Sequence, residues 1–238
     1  MAKNIGAMPI FEAEETMSMI HHVCFPTDIF EIPNVLNDVD MKAMLKYIEN
    51  QYATAKDGHE NWQTGPDLHT KPEFEKLVRF LITTNKDLIK GKGYDVEDIK
   101  ISDMWANILK PKEAHSPHTH SNNYLSGVYY LYAEKASALV VFDPVSERDV
   151  IKPRMFREDI FNSAALMFHS IPNTAYIFPS WLRHYVPPNV SERNRISISW
   201  NIQLKGQVGE HHDFQSAEYK RLHGNSYIRK EKRSVSDG

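Results

Sequence analysis

The chain has 238 residues, 41% of them hydrophobic, a formal net charge of -3 and one cysteine. That is enough apolar material for the core of one β-rich domain, and the near-neutral charge argues against a nucleic-acid partner. The acidic N-terminus with Glu12, Glu14 and Glu15 lacks a signal pattern, no apolar run reaches membrane length, and Cys24 has no mate in the chain. These points favour a reducing, cytoplasmic setting with Cys24 as an inert core thiol.

Taken in order, helices come first. Met41, Met44, Leu45, Ile48 and Tyr52 mark one face of a helix that begins near Asn37 and Asp38. Thr70-Lys-Pro-Glu73 fits a capping box, and Phe74, Leu77, Val78, Leu81 and Leu88 continue a second stripe until Gly91 and Gly93. Between them lies a polar loop from Gly58 to Gly65, in which Trp62 reads as an anchor. Strands are expected over roughly 99–110, 118–133, 138–143, 164–171, 174–179 and 195–205. Strands in runs, without alternating helices, argue for a mainly β (α+β) sandwich or roll. The expected organisation is one domain: a helical brace over 1–97, a β core over 98–205 and a polar, solvated tail over 206–238.

Within that core, His118 and His120 stand one residue apart, with His184 far downstream. On a strand, residues i and i+2 share a face, so the pair can aim at one point. Neutral imidazole ligates iron, zinc, copper or nickel alike, and three protein ligands would leave open positions for chemistry. His115, three residues before His118, would point to the opposite face and reads as a loop residue. The segment Arg195-Ile-Ser-Ile-Ser-Trp-Asn-Ile-Gln-Leu204 alternates cleanly. Its polar side faces water by default; in a curled sheet it lines the interior, and Arg195 becomes a fork for a carboxylate. Ser197 and Asn201 share the Arg195 face, while Asn107, Tyr124, Ser126 and Tyr130 are pocket candidates by strand parity.

The blocks Pro117-His-Thr-His-Ser-Asn-Asn-Tyr-Leu-Ser-Gly-Val-Tyr-Tyr-Leu131, Phe178-Pro-Ser-Trp-Leu-Arg-His-Tyr-Val186 and Arg195-Ile-Ser-Ile-Ser-Trp-Asn201 together resemble a group within the 2-oxoglutarate- and Fe(II)-dependent oxygenases. The resemblance runs from about Trp105 to Leu204. It implies a double-stranded β-helix (jelly roll, cupin-like) core and Fe(II) held by His118, His120 and His184. It also implies 2-oxoglutarate anchored by Arg195, with Asn107, Tyr124, Ser197 and Asn201 as further co-substrate contacts and Arg193 as a weaker alternative anchor. The expected reaction consumes O2 and 2-oxoglutarate, releases succinate and CO2, and hydroxylates a substrate that the sequence does not name.

One position departs from the superfamily pattern: His120 stands where a carboxylate is usual. It is either the third ligand or a residue beside the metal, and Asp143 is a remote substitute that reads better as a turn former before Pro144. A cupin-type metalloenzyme and a noncatalytic jelly-roll binding protein are the rival readings. The cupin glutamate is absent at Tyr124 and Leu125, and Arg195 has no evident use in a cupin. A homodimer is compatible with the chain, and nothing indicates a membrane partner.

Overall fold

Both helices form for local reasons. The Asn37 side chain caps α1 (Asp38–Thr54), accepting from the Asp40 N–H at 3.0 Å, and Met44 and Ile48 lie four residues apart on its buried face. In α2 (Glu75–Gly91), Leu77, Leu81, Asn85 and Ile89 repeat every four residues and are buried. The expected capping box does not form. The Thr70 hydroxyl donates instead to the Asp67 carbonyl at 2.8 Å, and two 3-10 turns, Leu68–Thr70 and Pro72–Phe74, precede the helix. This computed structural model describes residues 20, 22–55, 60–134, 138–145, 147, 150–208 and 217–219. Among these residues, no helix is long and apolar enough to cross a membrane.

The strands form two antiparallel sheets. The larger runs β1 (Phe30–Pro33), β8 (Thr174–Pro179), β5 (Leu125–Tyr132), β10 (Arg195–Val208), β3 (Asp98–Leu109), β2 (Trp62–Gln63), with β11 (Ala217–Tyr219) paired to the far end of β10. The smaller runs β4 (His115–His118), β9 (His184–Val186), β6 (Ala138–Phe142), β7 (Ala165–His169). Along β1–β8–β5–β10–β3 and β4–β9–β6, strands adjacent in space are not consecutive in sequence, which is the order of a jelly roll.

Burial shows which way the sheet faces. Ile196, Ile198, Trp200 and Ile202 of β10 pack with Met44, Ile48, Leu77, Leu81 and Ile89 of the helices. The helices therefore cover the apolar side of β10, and its polar side turns inward: Arg195, Ser197 and Asn201 are all buried. Opposite Asn201 and Ile202, a bulge in β3 skips Ser102, so that Ile99, Ile101, Met104, Ala106 and Ile108 all reach the helix-side core. A second core of Val128, Tyr130, Leu139, Val141, Tyr176, Phe178 and Leu182 fills the space between the sheets. Trp62 is the anchor expected, buried edge-on against Tyr52 with ring centroids 5.2 Å apart.

Three expectations need correction. The single strand over 118–133 is two, because β4 ends at His118 and β5 starts at Leu125. Cys24 is exposed, not a core thiol. The start of the presumed tail is ordered into β10 up to Val208 and, further on, β11, while His211, His212 and Lys230–Arg233 lie outside the described residues.

Candidate metal centre and active site

The three histidines meet, though not by the route that strand parity suggests. His118 closes β4 and His184 opens β9, and the two are direct cross-strand partners with ring centroids 4.4 Å apart. His120 lies beyond the strand. Its backbone N–H donates to the Ser180 carbonyl at 2.9 Å, and its ring stacks parallel to His184 at 5.1 Å. The ligand atoms of His118, His120 and His184 all lie within 4.8 Å of one another.

Backbone carbonyls orient two of the rings. His118 Nδ1 meets the Ser116 carbonyl at 2.8 Å, and His184 Nδ1 meets the Leu182 carbonyl at 2.9 Å, each two residues upstream. A ring that donates from Nδ1 presents a bare Nε2, and this is how proteins hold histidine as a ligand. Burial pulls the pKa of His120 and of His184 down to about 4, so both rings are neutral at ordinary pH, as ligation requires.

The donor set fits a metal ion. His120 Nε2 and His184 Nε2 lie 3.3 Å apart. Two nitrogens each about 2.1 Å from one ion have that separation when they subtend an angle of about 104° at it, close to tetrahedral. An all-imidazole set without sulfur suits iron, zinc, copper or nickel, and three ligands leave coordination positions open.

The triad opens onto a cavity of about 300 Å3. Arg195, only 3% exposed, lies in its wall with its guanidinium carbon 5.6 Å from the centre of the Tyr130 ring. Burial lowers the Arg195 pKa from its usual value, but a guanidinium starts so high that it stays charged. Ser197 of β10 and Asn107 of β3 are register partners beside it, and both line the cavity. The Asn107 amide donates to Ser199 Oγ at 3.2 Å, and its carbonyl accepts from Gln63 at 2.8 Å. The structure thus brings His118, His120, His184, Arg195, Ser197 and Asn107 into one site.

Other candidates lie elsewhere. Tyr124 precedes β5 and packs edge-on against Tyr94, with centroids 6.3 Å apart, away from the cavity. The break in the chain between β4 and β5 undoes the parity that linked Tyr124 to His118. Asn201 does share the inward face of β10, but it is buried outside the cavity wall, bonded to Ser126 Oγ at 2.7 Å and to Asp103. Arg193 is outside, hydrogen-bonded to the Tyr132 hydroxyl and paired with Glu134. Asp143 is the turn former expected, accepting from the Val145 N–H at 2.9 Å.

Other wall residues escaped the sequence reading. A register shift within β4 brings His115 into the cavity alongside His118; it opens a strand, where a loop position was expected, and the shift spares it the opposite face that strand parity implied. Trp105 alternates with Asn107 on β3, so parity alone would have found it, and its ring lies 6.0 Å from that of His120. Asn61 and Gln63 come from the short β2 region, where periodicity carries no signal.

A double-stranded β-helix thus places a three-histidine cluster and a buried arginine in the wall of one cavity, an arrangement able to hold a metal ion beside an anionic ligand. Residues 103–201 match the model of a family described as putative 2OG-Fe(II) oxygenase. No curated protein matches the chain. Among solved structures, the fold is similar to that of a Pseudomonas putida prolyl-4-hydroxylase (13% identity, TM-score 0.56, 76% of this chain and 94% of that one). It is also similar to the epimerase SnoN from nogalamycin biosynthesis (10%, 0.56, 74% and 78%). A third similar fold is HygX from Streptomyces hygroscopicus with nickel and 2-oxoglutarate bound (12%, 0.52, 81% and 91%).

Proposed function

We propose that the protein is an Fe(II)- and 2-oxoglutarate-dependent hydroxylase, in which His118, His120 and His184 hold the metal and Arg195 holds the far carboxylate of the co-substrate. The observation that carries this reading is the burial of Arg195 in the same 300 Å3 cavity as the histidine triad. A charged guanidinium is costly to bury, and a carboxylate held by its two parallel N–H donors offsets that cost. Ser197 and Asn107 add neutral hydrogen-bonding groups to the same wall. The fold shared with a prolyl-4-hydroxylase favours hydroxylation, while SnoN shows that similar folds carry other outcomes.

With metal and co-substrate bound, the centre supplies the oxidative chemistry: O2 is consumed, 2-oxoglutarate becomes succinate and CO2, and one oxygen atom goes to the substrate. The chain's own part is placement. The neutral rings of His120 and His184 need shed no proton to ligate. A third imidazole in place of a carboxylate leaves the centre one positive charge richer, which strengthens its pull on an anionic keto acid. Leu139, Val128, Phe178 and Val186 form the apolar part of the wall and exclude water from around the reacting groups.

The test is an anaerobic absorbance titration with Fe(II) and then 2-oxoglutarate, on the native protein and on Arg195→Ala. A visible charge-transfer band that needs 2-oxoglutarate and weakens in the variant is the expected result. Metal binding with no such band in the native protein would move the assignment to a cupin-type enzyme.

A further inference from the structure

His115 opens β4 and Arg195 opens β10, on opposite sheets, yet both line the one cavity. His115 Nε2 is buried and has no hydrogen-bond partner among the described residues. Buried polar atoms are nearly always paired, so an unpaired one in the wall of a binding cavity marks a partner that arrives from outside. It is not a fourth metal ligand, because the described group whose ligand atoms converge is His118, His120 and His184. What suits a guanidinium fork and an imidazole N–H together is a carboxylate, whose two oxygens accept from both.

We propose that His115 is a second anchor for the distal carboxylate of 2-oxoglutarate, donating from Nε2 on the β4 side while Arg195 donates from β10. The assignment rests on the oxygenase reading above. It makes the grip two-sided, one donor group from each sheet, so the site selects a dicarboxylic keto acid over a monocarboxylic one such as pyruvate. His115 is a binding residue in this scheme and leaves metal capture to the triad.

The experiment is an anaerobic titration of the Fe(II)-loaded protein with 2-oxoglutarate, followed by the charge-transfer band, on the native chain, His115→Leu and His115→Gln. Fe(II) affinity is measured separately by calorimetry. Loss of one charge-assisted hydrogen bond should weaken 2-oxoglutarate binding about tenfold in His115→Leu, leave Fe(II) affinity unchanged, and be largely reversed in His115→Gln, which restores a donor. On an Arg195→Ala background the same substitution should cost less, because the two residues share one carboxylate. If His115→Leu fails to fold by thermal melting, His115→Asn, which draws the donor back, carries the comparison. Unchanged 2-oxoglutarate affinity, or an equal loss of Fe(II) affinity, overturns the assignment. Failure of the native protein to develop the band overturns the oxygenase reading and this inference with it.

Discussion

His118 and His184 face each other across the β4–β9 pair as direct register partners, and that one pairing brings together two imidazoles 66 positions apart in the chain. Because His118 is the last residue of its strand and His184 the first of its own, both rings sit at the rim of the smaller sheet. Removing either ring should lower Fe(II) affinity at least about a hundredfold, at the strong end of what losing a metal-site contact costs. Anaerobic calorimetry on His118→Ala and His184→Ala checks this. His120→Asp, which puts a carboxylate in the third place, should still bind Fe(II), whereas His120→Ala should lose affinity as the other two do; unchanged Fe(II) affinity in His120→Ala would show that His120 is not a ligand.

Arg195→Ala should weaken 2-oxoglutarate binding about a hundredfold, the usual scale for removing a buried charge-assisted partner. Arg195→Lys should recover part of that, since an ammonium keeps the charge and loses the bidentate fork. A rise in KM for 2-oxoglutarate with a smaller change in kcat is the kinetic signature to seek.

His120 depends on a buried relay. Asp103, Asn201, Ser126 and Ser180 are linked in series by hydrogen bonds, and the carbonyl of Ser180 accepts the His120 N–H. Asn201→Ala and Ser126→Ala should therefore lower metal affinity about tenfold, although neither side chain touches the metal site. Calorimetry with Fe(II), beside a thermal melt that separates loss of fold from loss of affinity, gives the answer.

Gly127 is required by space. A Cβ there would lie 2.2 Å from the Trp200 ring and 2.6 Å from the Tyr176 carbonyl, neither of which can yield cheaply. Gly127→Ala should destabilise the fold by about 1–3 kcal/mol, the usual cost of overpacking, and urea unfolding measures it.

Asp98 joins three elements, pairing with Lys86 of α2 at 2.8 Å and Lys205 of β10 at 3.0 Å. The Lys86 ammonium, and then Lys205, hold its carboxyl well below the usual carboxylate range. A lowered folded-state pKa means that the stabilisation is present above the unfolded value, about 4, and is lost as pH falls below it. The pairs are partly exposed, so Asp98→Asn should cost only about 0.5–1 kcal/mol at pH 7. The gap from the native protein should narrow at pH 3, as compared by urea unfolding at both values.

Much of this molecule is legible in its residues one segment at a time. The Asn37 cap, the four-residue spacing of Leu77, Leu81 and Ile89, and the alternation of β10 are local patterns, set by helix and strand periods that need no tertiary context. The candidate ligands His118, His120 and His184, and Arg195, belong to the same level, because imidazole and guanidinium chemistry is a property of residue type. Which side of β10 faces inward was decided only by packing. The alternation offers two faces, and the helices bury the apolar one, so the polar one is left to line the cavity. Tyr124 and His115 were misplaced for a related reason: parity counts positions along one strand and cannot anticipate where the strand ends or slips. The break after His118 and the shift within β4 arise from pairing with β9, which lies more than sixty residues away, and only the assembled sheet expresses that constraint.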